Sequence, residues 1–399
     1  MKLCSAAAVL ALTALGPFAA SGADWPCWRG PDRNGISAEK GWQRQWPAGG
    51  PKQLWKASVG TGFSSFSVSG GRVYTMGNSA DTDRVFCLEA QTGKVVWEHS
   101  YPCALDPNNF EGGPCATPTV ADGRVYTFSR KGYLFCLDEA KGTVVWWKNL
   151  NRDLGLEIPV WGCASSALVE EGLVVVNMGS AGVALDGKSG KVVWFSAKGA
   201  GAYATPVPLK IGSERCLAIL SRESLVAVEA ATGREVWSYP WKTLYDVNAA
   251  DPIVDGDKVF ICSGYNHGGT LLRVAGQTPE KVWENKNLRN HFNSCVLWQG
   301  YLYGPDDSGL RCVAFETGAL KWSYSAFGKG SLVVADGKLV ALSEKGELII
   351  ADATPAAFTP IARARVLKGK CWTTPVLSNG HIYCRNAVGE VVCLDVSSR

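Results

Sequence analysis

The sequence contains little charge and no concentration of charge of one sign. Charged residues make up 19% of its 399 residues, and 40 basic residues nearly balance 36 acidic ones without a dense lysine or arginine cluster. This balance excludes the basic footprint of a nucleic-acid-binding protein or of one that binds an anionic membrane surface. Apolar residues make up 46%, so the chain can bury a large core and is not disordered.

The motifs of the common enzyme classes are also missing. The sequence has no P-loop, no dinucleotide fingerprint and no nucleophile elbow. Its four histidines show no metal-ligand spacing; they are His99, His267, His291 and His381. The absence of a Cys-x-x-Cys-His motif excludes a fused c-type haem as electron acceptor.

The N-terminal segment predicts export. Lys2 precedes an apolar stretch from Leu3 to Ala20, and small residues at 21–23 offer a cleavage site. The stretch is interrupted at Gly16 and is short for a membrane span. We therefore predict a cleaved signal peptide at residues 1–23 and a periplasmic or secreted mature protein without a lipid anchor or a membrane span. An uncleaved anchor is the alternative.

Fourteen cysteines in an exported chain would suggest disulfides. Loss of Cys4 with the signal peptide leaves thirteen, so at least one is free or pairs between chains. One repeat position is filled by Cys87, Cys136, Cys312 and Cys393, and by Ala184 and Ala227 in other repeats. This equivalence predicts a small, buried packing site. Cys103 and Cys115 bracket one loop and are the best candidates for a disulfide, with two free thiols as the equal alternative.

An internal repeat determines the predicted fold. The hexamers TGKVVW, KGTVVW, SGKVVW, TGREVW, TPEKVW and TGALKW end at Trp97, Trp146, Trp194, Trp237, Trp283 and Trp322, and Trp55 precedes them. Their spacing of 39 to 49 residues, with several short strands in each unit, is typical of β-propeller blades. Each unit has apolar strands, a glycine turn and an outer strand that carries the tryptophan. Amphipathic helical periodicity is absent, so the prediction is an all-β fold.

The count of first strands predicts eight blades. They begin near Phe63, Cys115, Ala164, Tyr203, Ala249, Phe292, Lys329 and Trp372. The seventh blade has lost its turn and tryptophan, and the eighth has three strands before Arg399. Residues 52–56 have the pattern of an outer strand but no blade of their own, so we predict that they complete the last blade and close the ring. Residues 52–399 then form one eight-bladed propeller, expected to be monomeric, and residues 24–51 form a strap across one face.

Alignment of the first strands predicts two rings around the central channel. One ring has seven hydroxyl residues and one carboxylate: Ser65, Thr117, Ser166, Thr205, Asp251, Ser294, Ser331 and Thr374. We interpret it as hydrogen bonding between neighbouring inner strands, with ligand binding as the alternative. Around it, aromatic, cationic and amide side chains differ between blades, which predicts a recognition funnel, with a solvated loop rim as the alternative. The candidate funnel residues are Arg130, Trp161, Tyr203, Arg222, Asn248, His291, Asn293, Lys329, Trp372 and Arg385.

Three motifs resemble the PQQ-like (quinoprotein-like) β-propeller repeat family. They are the start DWPCWRGPDRNG, the ATP and TTP first strands, and the TGK-x-x-W blade endings. The resemblance covers essentially the whole mature chain, and it is strongest to the secreted bacterial members grouped with BamB and with polyvinyl-alcohol dehydrogenase-like proteins. It implies a propeller that is either a redox enzyme or a binding scaffold, because one fold hosts both.

The enzyme alternative needs groups that are scarce in this sequence. The resemblance implies that such an enzyme would hold PQQ and usually Ca²⁺, with an arginine, oxygen ligands and a catalytic aspartate. The alcohol-oxidising types also stack PQQ on a disulfide of adjacent cysteines, and no Cys-Cys pair occurs here. Asp251, Asn248 and Glu344 could supply oxygen ligands but lie in different blades.

We therefore predict an exported, non-catalytic scaffold without a metal or cofactor. It would bind an envelope or extracellular protein, peptide or glycan through the funnel, with no nucleic acid as a partner. The alternative is a reduced PQQ-dependent quinoprotein dehydrogenase that acts on an alcohol or a sugar.

Overall fold

Almost every regular element of the structure is a β-strand. The computed structural model describes residues 23–276, 278–307 and 309–398, so the predicted signal peptide lies outside the described residues, apart from Ala23. The strands form eight sheets, and within each blade they follow one another as an antiparallel meander. The predicted all-β, eight-bladed propeller is confirmed.

The first half of the propeller follows two N-terminal strands, β1 (Ile36–Ser37) and β2 (Lys52–Ser58). Blade 1 contains β3 (Ser67–Ser69), β4 (Arg72–Ser79), β5 (Thr82–Glu89) and β6 (Val95–Pro102), and blade 2 contains β7 (Thr119–Ala121), β8 (Arg124–Phe128), β9 (Tyr133–Asp138) and β10 (Val144–Asn149). A short helix, α1 (Leu150–Leu154), leads to blade 3, which contains β11 (Leu168–Glu170), β12 (Leu173–Val176), β13 (Val183–Asp186) and β14 (Val192–Phe195). Blade 4 contains β15 (Val207–Ile211), β16 (Glu214–Leu220), β17 (Ser224–Glu229) and β18 (Glu235–Pro240).

The second half repeats this pattern after a 3₁₀ turn at Leu244–Asp246. Blade 5 contains β19 (Ile253–Asp255), β20 (Lys258–Ser263), β21 (Gly268–Arg273) and β22 (Glu280–Asn285), and blade 6 contains β23 (Val296–Trp298), β24 (Tyr301–Asp306), β25 (Gly309–Ala314) and β26 (Leu320–Tyr324). Blade 7 contains β27 (Ser331–Ala335), β28 (Lys338–Leu342), β29 (Glu347–Asp352) and β30 (Pro360–Arg365), and blade 8 contains β31 (Val376–Ser378), β32 (His381–Arg385) and β33 (Glu390–Asp395). No helix in the described part of the chain is both long and apolar enough to cross a membrane.

The ring closes as predicted. Strand β2 pairs antiparallel with β33, so that Trp55 lies opposite Cys393 and Lys56 opposite Val392. The N-terminal strand is therefore the outer strand of blade 8, and it satisfies the edge of β33 that would otherwise be open. The seventh blade lacks the tryptophan but keeps its outer strand, β30. Ala362 stands at the tryptophan position of this strand, opposite Ile350.

The blade tryptophans lie between neighbouring blades. Six indole Nε1 atoms donate to a carbonyl of the next blade at 2.8–2.9 Å: Trp55 to Ala90, Trp97 to Glu139, Trp146 to Gly187, Trp194 to Ala230, Trp283 to Phe315 and Trp322 to Thr354. Five of these indoles, all except Trp322, also cover a turn glycine of that blade. At Gly93, φ is +70° and a Cβ would lie 2.6 Å from the Trp55 ring. Glycine is thus required there both by the backbone conformation and by the close approach of the indole.

The repeat position shared by cysteine and alanine faces these tryptophans. Cys87 lies opposite Trp97 and Cys393 opposite Trp55, and both thiols are fully buried. The other members, Cys136, Ala184, Ala227 and Cys312, are also fully buried opposite a tryptophan. The predicted packing role of these six residues is confirmed, since each is a small side chain buried against an indole. Blade 5 differs, because the larger Leu271 lies opposite Trp283 there.

The hydroxyl ring joins the inner strands. The backbone N–H of one member donates to the side-chain oxygen of the next at 2.8–3.1 Å: Ser65 to Thr117, Thr117 to Ser166, Ser166 to Thr205, Thr205 to Asp251 and Asp251 to Ser294. The Ser65 hydroxyl donates to the Thr374 carbonyl at 2.8 Å and so joins blade 1 to blade 8. The predicted structural role of the ring is confirmed.

The predicted starts of the first strands were several residues early. Regular pairing in blade 1 begins at Ser67 rather than near Phe63. The reason is that the Phe63 N–H donates to the Pro114 carbonyl, 2.8 Å away at the next blade, instead of to its own sheet. The residues before each first strand therefore line the channel as loops.

Residues 24–51, the strap, cross the end of the channel. Trp25 is buried and forms an antiparallel bridge with Val68 of blade 1, and β1 adds in parallel to β27 of blade 7. Further hydrogen bonds run from Val120 N to the Pro26 carbonyl, from Arg33 Nη2 to the Val169 carbonyl, from Arg29 Nη2 to the Cys295 carbonyl, and from Ser37 Oγ to the Leu377 carbonyl. The strap thus connects blades on all sides of the channel.

Candidate binding funnel

The central channel widens into a cavity of about 550 Å³ lined by the loops before the first strands. We call this cavity the funnel. Its volume lies within the range of small-molecule sites. Trp28 of the strap lines it together with Thr205 and Asp251 of the hydroxyl ring. The strap therefore contributes directly to the wall of the funnel.

Aromatic rings cover much of the funnel wall. A series of neighbouring rings with centroids 4.3–5.6 Å apart runs Phe110, Phe63, Trp372, Phe292, His291, Tyr265, Tyr245. Trp161 and Tyr203 form a second, edge-to-face pair at 6.2 Å. Rings held by one another in this way present rigid apolar faces to a ligand at little cost in conformational entropy.

Hydrogen bonds fix the position of Trp372. Its indole Nε1 donates to Glu344 Oε1 at 2.8 Å, and its carbonyl accepts from Asn293 Nδ2 at 2.8 Å. Lys370 Nζ lies 4.2 Å from the indole ring and also pairs with Glu111 at 2.9 Å. These contacts hold one face of the wall in place, so Trp372 does not need to reorganise when a ligand binds.

Lys329 is the unpaired cation of the funnel. Its Nζ lies 5.6 Å from the centroid of the Trp372 ring. Within the described ranges, no carboxylate lies within 4.0 Å of this ammonium group. The adjacent His291 has its pKa lowered to about 4, first by burial and then by the charge of Lys329, against a weaker opposite effect of Asp307. His291 is therefore neutral at pH 7, and Lys329 supplies the positive charge.

The low pKa of His291 predicts a pH effect on stability. Between about pH 6.5 and pH 4 the unfolded chain binds a proton at this histidine that the folded chain does not, so its contribution to stability is present above this window and is lost as the pH falls through it. We expect NMR titration to give a midpoint near pH 4 for one of the four histidines. Urea unfolding of His291→Gln should depend less on pH than wild type between pH 6.5 and 4. A midpoint near 6.5 would contradict the assignment.

Asp251 is buried at the strap end of the funnel. Its Oδ2 accepts from Trp28 Nε1 at 2.6 Å, its Oδ1 accepts from the Thr205 N–H at 2.8 Å, and Arg29 Nε lies 3.8 Å away. Burial raises the pKa of this carboxyl, and the charge of Arg29 and these hydrogen bonds oppose the increase. Asp251 thus makes the same ring contact as Thr117, Ser166, Thr205 and Ser294, and in addition it anchors the strap.

Trp28 was not predicted from the sequence to be a funnel residue. It lies 223 residues from Asp251 along the chain, outside the repeat that defined the other candidates. Two signals could have found it. Asp251 is the single carboxylate in a hydroxyl ring, and the adjacent Trp28 and Arg29 could supply the donors that a buried carboxylate needs.

Six of the ten sequence-predicted candidates line the funnel. They are Trp161, Tyr203, His291, Asn293, Lys329 and Trp372. Arg222 lies at the rim, where it is exposed and pairs with Asp246 at 2.9 Å. Within this group, Asn293 positions its neighbours, because its Nδ2 donates to the carbonyls of Gly330 and Trp372.

The other three candidates do not lie on the funnel surface, and their interpretation as surface residues was wrong. Asn248 is buried, and its Nδ2 donates to three carbonyls of blade 4 and the loop after it. Arg385 is buried, and its guanidinium donates to the carbonyls of Ser64, Met76 and Gly60. It therefore joins blade 8 to blade 1. Arg130 is buried behind Phe110, with its guanidinium carbon 5.4 Å from that ring.

The side-chain oxygen atoms considered as ligands for Ca²⁺ and PQQ already accept hydrogen bonds from other groups of the protein. Asp251 accepts from Trp28 and Thr205, Asn248 Oδ1 accepts from the Ser263 hydroxyl at 2.9 Å, and Glu344 accepts from Trp372. No cluster of three or more His, Cys, Asp or Glu side chains with metal-binding geometry occurs in the part of the chain that the structure describes. Lys329 alone would face the three carboxylates of PQQ. These residues do not fit that cofactor.

Cys103 and Cys115 are both free thiols in the structure, so the suggested disulfide is not formed, and the eleven other described cysteines are also free. Burial is the main cause that raises the pKa of Cys103 to about 12 and that of Cys115 to about 11. Thiolate is the reactive form, so both react slowly in the folded protein. We expect alkylation of the unreduced, denatured protein to modify all thirteen described cysteines. Modification of eleven, with Cys103 and Cys115 protected, would contradict this prediction.

The fold and the site define an eight-bladed β-propeller with an aromatic funnel, of the type shared by quinoproteins and BamB. The model of the PQQ-like family described as "Outer membrane protein assembly factor BamB" matches residues 39–104 and 104–324. The chain belongs to this family.

Individual relatives agree with this assignment. The outer membrane protein assembly factor BamB of Yersinia pestis is 23% identical over 348 residues, which cover 80% of this chain and 82% of that protein. The crystal structure of BamB from Moraxella catarrhalis superimposes with a TM-score of 0.64 at 18% identity, over 86% of this chain and 97% of that one. Quinohemoprotein alcohol dehydrogenase from Comamonas testosteroni gives 0.69 at 12% identity, over 94% and 81%. Structural similarity at such low identity shows the fold and not the activity.

Proposed function

We propose that this protein is an exported, non-catalytic scaffold that binds a protein, peptide or glycan through the funnel. The observation that carries the proposal is the funnel itself, a cavity of about 550 Å³ with rigid aromatic walls and one unpaired cation. Concave apolar sites with a few placed polar groups are the usual form of ligand sites. The match to the BamB family favours a binding role in the cell envelope, and the apolar stretch at residues 3–20 favours export.

The weakness of the acid–base groups among the described funnel residues supports the scaffold over the dehydrogenase. Burial lowers the pKa of His291 to about 4, which makes its imidazole a weak base. Asp251, the one carboxylate in the wall, already accepts hydrogen bonds from Trp28 and Thr205. A catalytic base needs a lone pair that can reach the substrate. We expect protein incubated with PQQ and Ca²⁺ to reduce no artificial dye when an alcohol or a sugar is added. Substrate-dependent dye reduction would favour the dehydrogenase.

Hydroxyl-radical footprinting tests the location of the binding site. The protein would be oxidised in its own envelope fraction and, separately, after purification, and the oxidised tryptophans and tyrosines quantified by mass spectrometry. We expect protection of Trp161, Tyr203 and Trp372 in the envelope fraction only. Trp147, which is 43% exposed on the outer strand of blade 2, is the internal control and should be oxidised equally in both samples. Protection of Trp147 with an unprotected funnel would place the binding surface on the outer rim and overturn the proposal.

A further inference from the structure

The funnel offers few free backbone groups to a ligand. The N–H groups of Thr117, Ser166 and Thr205 at the inner strands donate to side chains of the next blade. An extended peptide therefore cannot add as a further strand here, since β-strand addition depends on main-chain hydrogen bonds to an open edge. Recognition must depend on side chains, that is, on ring faces, hydroxyl groups and charge.

The ring faces and hydroxyl groups suit a carbohydrate. Trp372 and Trp161 lie in two separate aromatic groups of the wall, and an indole face can cover the C–H face of a sugar ring. Ser166 and Thr205 also line the funnel. Each hydroxyl oxygen accepts from a backbone N–H and keeps its own hydrogen, which it can donate to a sugar hydroxyl.

The charges around the funnel favour an anion. Lys329 has no carboxylate within 4.0 Å in the portion of the chain described, and Glu111 is neutralised by Lys370. Glu344 keeps its charge, but it is turned to the Trp372 indole and to the backbone N–H of Lys329. A second cation lies behind the wall. Arg130 is 1% exposed, and its Nε and Nη1 find no hydrogen-bond partner among the residues described.

A buried guanidinium with unpaired donors is unusual in a folded protein. The side chains of Phe110 and Cys115, which line the funnel, lie next to Arg130. Asp106, at 3.6 Å from Nη2, is its one acidic neighbour within 4.0 Å, and that carboxylate also pairs with Lys131. Arg130 therefore adds positive potential to the same side of the funnel, where the low dielectric of the wall screens it little.

We propose that the funnel binds an acidic sugar residue, carboxylated or sulfated, that stacks on Trp372 or Trp161 and pairs its anionic group with Lys329. This inference rests on the proposed function, because it requires the funnel to be the binding site. It goes further by choosing a glycan over a peptide and by assigning the anion contact to one lysine.

Titration calorimetry with defined sugars tests the inference on the full mature protein. The probes are trigalacturonate, a heparin-derived tetrasaccharide and fully methyl-esterified trigalacturonate, which keeps the sugar rings but loses the charge. We expect at least one acidic sugar to bind and the methyl ester to bind about tenfold more weakly or not at all, since a charge-assisted hydrogen bond is lost. Comparison of the two acidic probes distinguishes a carboxylate from a sulfate ligand.

Two variants locate the contact. Lys329→Met should weaken binding of the acidic sugar about tenfold and leave the weak binding of the methyl ester unchanged. Lys188→Met, which removes the same charge from an exposed turn of blade 3, is the matched control and should bind as wild type. Lys329→Arg should retain most of the affinity, and the melting temperatures of all variants confirm that they are folded.

The outcomes separate the two proposals. If neither acidic sugar binds, or if Lys329→Met binds as tightly as wild type, the sugar inference is wrong. The proposed function then still stands if footprinting shows the funnel protected in the envelope fraction. An acidic peptide of equal charge that binds in a Lys329-dependent way, while both sugars fail, would identify a peptide ligand and also overturn the inference. An unprotected funnel together with no sugar binding would reject both proposals.

Discussion

Replacing Trp55 by alanine should destabilise the protein by about 3–5 kcal/mol, the usual loss for removal of a large buried aromatic side chain. The indole is 7% exposed, donates to the Ala90 carbonyl at 2.8 Å and covers Gly93. It is carried by β2, the one strand of blade 8 that comes from the other end of the chain. Its loss therefore weakens the contact between blade 8 and blade 1 that closes the ring. Urea unfolding followed by circular dichroism measures the effect.

Trp147→Ala is the matched control for Trp55→Ala. Trp147 is also on an outer strand, but it is 43% exposed and makes no side-chain hydrogen bond in the described structure. Its removal should cost less than that of Trp55, about 1–2 kcal/mol, because the indole keeps over two fifths of its surface in water and packs on Tyr133 and Phe135 from one side only of the sheet. Equal losses for the two variants would show that Trp55 has no special role in closure.

The propeller could be predicted from the sequence because the evidence for it is local and repeated. Five blades, 1 to 4 and 6, carry a glycine turn, an outer-strand tryptophan and a small residue that faces it. The need for a small side chain opposite the indole is met by a cysteine in Cys87 opposite Trp97 and by an alanine in Ala184 opposite Trp194. Closure of the ring could also be predicted. The segment around Trp55 has the pattern of an outer strand but no blade of its own, and an open sheet edge is unfavourable.

The funnel could be predicted only in part because its residues come from loops that do not follow the repeat. Trp161, Lys329 and Trp372 were found by their place before a first strand. Arg385 was assigned wrongly because sequence does not show whether a loop cation points to solvent or to neighbouring carbonyls. The structure places it against Ser64, Met76 and Gly60, more than 300 residues away in sequence.

The contribution of the strap could not be predicted from the repeat at all. Trp28 enters the funnel from a segment with no equivalent in the blades, and its partner Asp251 is in blade 5. The ring position would accept serine, as it does at Ser294 and Ser331. The carboxylate is explained only by the cationic side chain of Arg29 beside it.

This arrangement predicts a large effect at Asp251. Asp251→Ser restores the residue type of the ring, but it leaves the guanidinium of Arg29 buried without its carboxylate and Trp28 without its acceptor. We expect a loss of about 3–5 kcal/mol in the free energy of unfolding, as for a buried ion pair from which one partner is removed. Urea unfolding monitored by tryptophan fluorescence measures the change in stability.

The double variant Arg29→Met, Asp251→Ser distinguishes an electrostatic cause from a loss of packing. Because it removes the buried charge together with its counter-ion, it should be more stable than Asp251→Ser alone, although Arg29 also donates to the carbonyls of Arg33, Asn34 and Cys295. The two single losses should therefore not add. Additive losses would show that Arg29 and Asp251 act independently, and that the single carboxylate of the ring is not there to hold the strap. A loss in the double variant that is smaller than the sum of the two single losses would mean that this pair fixes the strap in the funnel, so that Trp28 belongs to the binding site as firmly as the blade residues do.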